Sequence, residues 1–335
     1  MRNILLLFLW IMSPFKNQQT FLNYFQNELW TTRTEKFLTK LDQVTPWESI
    51  SKKINLNRER WEKWERWVWR PKTETVKMIK IMFLQWLYWL SDPEAEDQIR
   101  DRNSFQKFLW INKVKDIPDE TTICRFRNEL SENWIQESIF TMTQFILAEM
   151  WFTVEKWFIQ DGTIIEAPKG KKNNKWENTR DKEASFTKKN WRSYHWYKGH
   201  IQTTKKWDFI MNTTYTTAKV HDSQLADILM TWDEAEEAYW DSAYISKDRI
   251  EFLKEIWIEG EFNERWTRNN PLTTYQKEQN RCKSTIRARV EHPFAVLKAR
   301  YWNYKVKYRG LVKNAMHWFL ACAIYNFELL ARRYS

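Results

Sequence analysis

The chain is poor in glycine: it has 5 among 335 residues, where average usage of about 7% would supply roughly 23. Cysteine is sparse too. Cys124, Cys282 and Cys322 are far apart, odd in number and without a CxxC pair, which excludes a disulfide scaffold and a zinc knuckle and fits a reducing compartment. No apolar run approaches the about 20 residues of a membrane span. Residues 4–12 are too few, and Ile79 to Leu90 is short and interrupted by Gln85. A GxxxxGKS/T loop is missing, so nothing implies a nucleoside triphosphate. Neither a Ser-His-Asp elbow, an internal repeat nor a low-complexity tract is visible.

Tryptophan is in excess. There are 23, so glycine and tryptophan together fill 28 positions, enough for a normal glycine complement and a few true tryptophans. Several stand where the backbone asks for glycine. Trp67 and Trp69 lie in a basic hinge before Pro71, and Trp176 lies in the polar turn Asn173-Asn174-Lys175-Trp176-Glu177-Asn178. The expectation is that many of these codons are UGA, read as glycine in the source organism. Masses of native peptides covering Trp176, Trp191 and Trp240 test it.

Charge points to a polyanionic partner. There are 54 Lys+Arg against 43 Asp+Glu, a net +11. The stretches 169–206 and 281–313 carry +9 each, so the remainder is −7 and the cations are concentrated. At the N-terminus, residues 1–15 read as an over-extended start, with Met12 beginning the protein; a signal-peptide h-region is the alternative, but no small-residue cleavage site follows.

Residues 16–152 read as a helical domain. Val76, Ile79, Phe83, Leu84 and Leu87 recur at helical spacing, Asp92-Pro93 separates two helices, and Asp119 or Thr121 caps a third. That third helix carries Arg125 and Arg127 near its start, as a helix entering DNA by its N-terminal turn would; a solvated amphipathic helix is the alternative. Residues 153–335 read as an α/β domain. Strands are expected over Trp157 to Glu166, Asp208 to Thr217 and Ala235 to Asp241. Helices are expected over Ser223 to Met230, Lys247 to Ile256, Arg281 to Arg300 with a kink at Pro293, and Ala315 to Arg332.

Two apolar runs end in an acid, Asp161 and Asp241, and are expected to place these carboxylates at the C-terminal ends of adjacent strands. Close carboxylates repel unless a cation lies between them, and Mg²⁺ prefers such oxygen ligands. Glu291 is the one acid among ten Lys/Arg between Arg281 and Lys313. Arg287 lies four residues before it and Lys298 seven after, all on one helix face. This suits phosphodiester chemistry, with metals at the reacting phosphate and cations at its neighbours; a surface ion pair between Arg287 and Glu291 is the alternative. Lys198 and His200 fit a phosphate-contacting groove or a polar strand. His221-Asp222 fits a helix cap, with the orienting of active-site neighbours as the alternative. His292 points about 100° away from Glu291 on a helix and is not taken as a ligand.

At these residues the chain resembles the DDE transposases of bacterial insertion sequences, in the group that includes families four and five. The matching segments are Asp161 to Pro168, Tyr194 to Ile201, Val220-His221-Asp222, Tyr239 to Tyr244, Ser284 to Phe294 and Tyr308 to Asn314. Pro46-Trp47, Leu90-Ser91-Asp92 and Pro118 to Ile123 resemble the family's helical N-terminal domain. Ser284 stands where related groups have a tyrosine. Trp196, Trp240 and Trp302 stand where the family tends to have glycine, while Trp47 matches a family tryptophan.

The resemblance implies a ribonuclease-H-like core, a mixed sheet flanked by helices, behind a helical N-terminal domain that recognises DNA ends and dimerises. Asp161, Asp241 and Glu291 become the catalytic and metal-binding acids for two Mg²⁺ or Mn²⁺ ions. Arg287 and Lys298 become phosphate contacts. The implied function is cleavage at the ends of an insertion sequence and strand transfer to target DNA, by a homodimer on double-stranded DNA in the bacterial cytoplasm. A catalytically inactive, co-opted DNA-binding descendant is the alternative.

Overall fold

The structure, a computed structural model, describes residues 31–62, 73–132, 135–149, 157–170, 180–225, 229, 237–240, 245–266 and 271–333, apart from 169, 190, 222, 223, 256 and 302. The expected start at Met12, the hinge at Trp67 and Trp69, Trp176 and most of the helix expected over Ser223 to Met230 lie outside them.

Among the described residues seven α-helices come first: α1 (Arg33–Val44), α2 (Trp47–Glu62), α3 (Thr75–Leu87), α4 (Asp92–Asp101), α5 (Asn103–Phe108), α6 (Glu120–Glu132) and α7 (Ile135–Glu149). The apolar spacing in α3 understates its burial, because every residue of it but Lys77 is buried. Lys80 is 0% exposed; it pairs with Asp42 at 2.5 Å and donates to the Phe108 carbonyl at 3.0 Å. Burial outweighs that pairing and lowers its pKa. Ser91 caps α4 in a capping box with Glu94, and Asp119 caps α6 by accepting from the Thr122 N–H at 2.7 Å.

The sheet that follows contains β1 (Trp157–Glu166), β2 (Ser185–Lys189), β3 (Arg192–Thr204), β4 (Ile210–Thr217), β5 (Glu237–Trp240) and β6 (Glu259–Phe262), in the order β2-β3-β1-β5-β6 with β4 also on β3. It is mixed: β1 pairs antiparallel with β3 and parallel with β5, and β5 pairs parallel with β6. The segment expected as a basic polar stretch therefore holds β2 and β3. Its polar residues hid a strand whose free edge is shared, with β2 pairing Arg192 to Trp196 and β4 pairing Tyr197 to Thr203.

Between β5 and β6 lies α8 (Lys247–Glu255); beyond β6 comes a long helical run. This run comprises α9 (Thr274–Arg287), a 3-10 turn over Ala288–Val290, α10 (Glu291–Ala295) and a π turn over Val296–Arg300. Pro293 does not break it. The missing N–H and the ring's clash with the preceding turn fall where the helix is already tightened into a 3-10 turn. The last helix, α11 (Leu311–Arg333), is buried on nearly every side. It packs on α1, α7 and β4, so one apolar cluster extends from Leu38 in the helical region through the sheet to Ala331. No helix among the described residues is long and apolar enough to cross a membrane.

Acids fix the start of α11. Asp181 is 4% exposed; its Oδ2 accepts from Tyr197 Oη and from the Gly310 N–H, each at 2.9 Å. Glu183 accepts from the Leu311 N–H. Gly310 turns into the helix at φ +91°, where glycine has no steric cost. Asp181→Asn replaces one shared acceptor with a donor, so it should lower unfolding stability by about 1 kcal/mol in a denaturant titration; no change would remove this latch from the account.

Among the described residues five non-glycine residues have positive φ, and four are tryptophan: Trp89, Trp110, Trp191 and Trp257, with Asp208 the fifth. Trp89, Trp110 and Trp257 each follow a helix closed by a backbone bond of Schellman type. Leu90 N–H donates to Gln85 O, Ile111 N–H to Gln106 O and Ile258 N–H to Leu253 O, all at 2.9 Å. That left-handed position is the one glycine commonly fills. The register Lys189↔Arg192 sets Trp191 in the turn between β2 and β3, and in the sequence Asn190 precedes it where Asn-Gly is the pair that favours such a hairpin. The backbone thus asks for glycine at four tryptophans. At Trp196 and Trp240 it does not: both lie in strands outside the positive-φ set, and both are buried.

Candidate active site

β1 divides two apolar layers. Phe158 packs with Ala238, Trp240, Leu253 and Ile258 on one side, while Ile159 and Ile165 enter the main cluster on the other. By the strand's alternation Asp161 shares the face of Ile159. Its carboxylate is 22% exposed and its Oδ1 accepts from the Gly162 N–H at 2.8 Å. The 3-10 turn of the long helical run lies against β1, with Val290 buried. This brings the Arg287 guanidinium to 3.5 Å from Asp161 Oδ2, uniting two expected site residues 126 positions apart in the chain.

The parallel register is Phe158↔Ala238 and Ile159↔Tyr239, and Trp240 Nε1 donates to Gln160 Oε1 at 2.6 Å. The next residue, Asp241, lies outside the described residues. Glu291 opens α10 one turn beyond Arg287 and is exposed to solvent. Its neighbours are anchored from the turn between β3 and β4. Arg289 Nε lies 3.5 Å and His292 Nδ1 3.9 Å from the Asp208 carboxylate, and Tyr325 Oη donates to the Asp208 carbonyl at 3.1 Å. Asp208 itself was not foreseen. Its signal is an acid at φ +58° in a tight turn, a conformation that Asp tolerates. His292 Nδ1 therefore lies beside Asp208 and within 3.4 Å of Tyr325 Oη.

Lys298 is half-buried in the π turn. The far end of that turn is held by buried Glu328, which accepts from Arg300, from Tyr301 Oη and from Arg332 Nε at 2.9 Å. Among the described residues, no three His, Cys, Asp or Glu converge into a metal site, and one of the three expected acids is outside that set. The donors that are described, Asp161 and Glu291, are both carboxylates open to solvent, a set that suits a hard divalent cation.

The other expected DNA contacts fare unevenly. Lys198 Nζ donates to the Val220 carbonyl at 2.9 Å and tethers the turn after β4. His200 is 1% exposed with Nε2 3.1 Å from Thr216 Oγ1, so it packs within the sheet and does not reach a groove. Arg127 is also corrected. Its guanidinium grips both oxygens of Asp92, Nη2 to Oδ2 at 2.7 Å, and lies over the Tyr308 ring. Burial alone would raise the Asp92 carboxyl, but Arg127 and Gln85 hold it below the usual range. Arg127 therefore joins the helical region to the segment before α11. Arg125, by contrast, is exposed and lines a groove of about 1010 Å³ in which Lys77, Arg100 and Lys115 alternate with Glu74, Asp116, Asp119 and Glu129.

Residues 154–327 match the family model described as Transposase DDE domain, and residues 28–129 match the one described as Transposase domain (DUF772). No solved structure matches the chain.

Proposed function

The chain belongs to the DDE transposases, and we propose that it cuts DNA at the ends of an insertion sequence and joins the freed ends to target DNA. A transposase domain implies DNA binding. The observation that carries the finer reading is the contact between Arg287 and Asp161 at the base of the helix that bears Glu291. It joins a carboxylate and a phosphate-seeking cation at one point on the sheet. The parallel register of β1 and β5 supports a partnership between Asp161 and the acid that follows Trp240.

In this reading Asp161, Asp241 and Glu291 hold two Mg²⁺ or Mn²⁺ ions. When bound, such ions supply an activated attacking oxygen and stabilisation of the leaving oxygen in an in-line displacement. Arg287 balances the charge of Asp161 and reaches a phosphate oxygen bound beside it. Lys298, two turns beyond Glu291, takes the next phosphate along the strand. Asp208, gripping Arg289 and His292, keeps the Glu291 backbone in place. The helical region, 16–152, reads the element's terminal repeats through the groove beside Arg125, and the protein acts as a homodimer on DNA.

The test is a cleavage and joining assay with Mg²⁺, using labelled DNA from both sides of the gene and a supercoiled plasmid as target. Cuts at two repeat-bearing boundaries and joined products are expected. Binding without cleavage, in Mg²⁺ and in Mn²⁺, would instead favour the co-opted DNA-binding protein.

A further inference from the structure

No residue of α9 is buried, although it runs for 14 residues beside the sheet. Its inner face is polar and already occupied. Gln276 and Asn280 bond Glu264, Lys283 bonds the Phe262 carbonyl at 3.0 Å and pairs with Glu261 at 2.8 Å, Ser284 meets Asn263 at 3.1 Å, and Arg287 meets Asp161. Lys277 and Arg281, one turn apart and both exposed, line the flank beside those contacts, with Glu278 on the face turned furthest from the body. Among the described residues neither is paired with an acid. From Thr274 to Val290 the segment carries five Lys/Arg and one acid, Glu278. Only Ile286, near its end, packs on the main apolar cluster; the turns before it have no apolar reason to stand where they do.

We infer that α9 is a rail for double-stranded DNA leading away from the reacting phosphate, with Lys277 and Arg281 contacting backbone phosphates. This rests on the DNA-cutting reading above. Lys277 is 14 residues before Glu291, about 21 Å along a helix, so the rail meets the duplex a few phosphates beyond the site. The single acid, Glu278, makes a second copy of this basic chain a poor occupant. The contacts are electrostatic and read no sequence, so any duplex reports them.

The experiment measures fluorescence anisotropy of a labelled 30-base-pair duplex of arbitrary sequence over about 50–200 mM NaCl. It compares the full chain with Lys277→Gln/Arg281→Gln and with the charge-preserving Lys277→Arg/Arg281→Lys. Each lost phosphate contact removes about 0.9 from the slope of log affinity against log salt, so the neutral pair should lower it by roughly 1.8 while the charge-preserving pair keeps it. Both pairs lie on an exposed face, and unchanged thermal melting verifies folding. If the wild-type chain binds with a steep slope and the neutral pair matches it, the rail is wrong and the active-site reading stands. A neutral pair that changes oligomeric state by light scattering, with the slope intact, makes α9 a protein interface. A wild-type chain with no salt-dependent binding overturns both readings.

Discussion

Asp161→Asn is expected to lower the nicking rate by about a thousandfold, equivalent to about 4 kcal/mol of transition-state stabilisation. The substitution keeps the shape of the side chain and an oxygen for the Gly162 N–H, but it removes the charge that a divalent cation needs from a hard ligand. It also frees Arg287 from its carboxylate partner. DNA affinity should therefore hold or rise, because a negative charge is removed beside a phosphate-binding cation. Nicking of labelled duplex with Mg²⁺ gives the first quantity and anisotropy the second. Glu291→Gln should behave alike. Activity within tenfold of wild type in either variant contradicts the assignment, whereas loss of binding together with activity would indicate damage to the DNA surface.

Trp191→Gly and Trp257→Gly together are expected to stabilise the chain as written here by about 2 kcal/mol, raising its melting temperature by several degrees. Left-handed backbone at a bulky residue costs roughly 1–3 kcal/mol, from which glycine's greater freedom in the unfolded chain subtracts about 0.5–1. These two sites are the cleanest because the indoles pack on little: Trp191 is 103% and Trp257 91% exposed. At Trp110 the gain should be smaller, since its ring lies 3.3 Å from Lys80 Nζ and the cation–π attraction would be lost. Chemical denaturation of the variants checks the sign. Peptide masses from the source organism check the cause: glycine is expected at 89, 110, 191 and 257. Tryptophan at all four would end the recoding idea and leave the strained turns unexplained.

The sequence made different parts of the molecule legible for different reasons. Asp161 and Glu291 stood out because each is an acid in an informative setting, one in a β-prone run and the other in a cationic helix. The helical N-terminal half followed from apolar spacing and caps. The hairpin of β2 and β3 was obscured, because the pair that announces such a turn reads Asn-Trp in place of Asn-Gly and the strands are polar. β6 is four residues long and was not foreseen. Arg127 and His200 misled for a common reason. A cation or imidazole near a basic surface looks available until its partner, Asp92 or Thr216, is known, and both partners lie on segments that pattern alone does not bring near. The exposed cations of α9 could have been seen at helical spacing, but nothing in the pattern said which face was free.

The most direct measurement of the central claim is anomalous scattering from Mn²⁺ in crystals of the protein bound to a DNA duplex. Manganese is expected within about 2.0–2.2 Å of carboxylate oxygens of Asp161, Asp241 and Glu291, with a phosphate oxygen completing the shell. Manganese bound elsewhere, or a complex in which these three carboxylates surround no ion while DNA is cut, would contradict it.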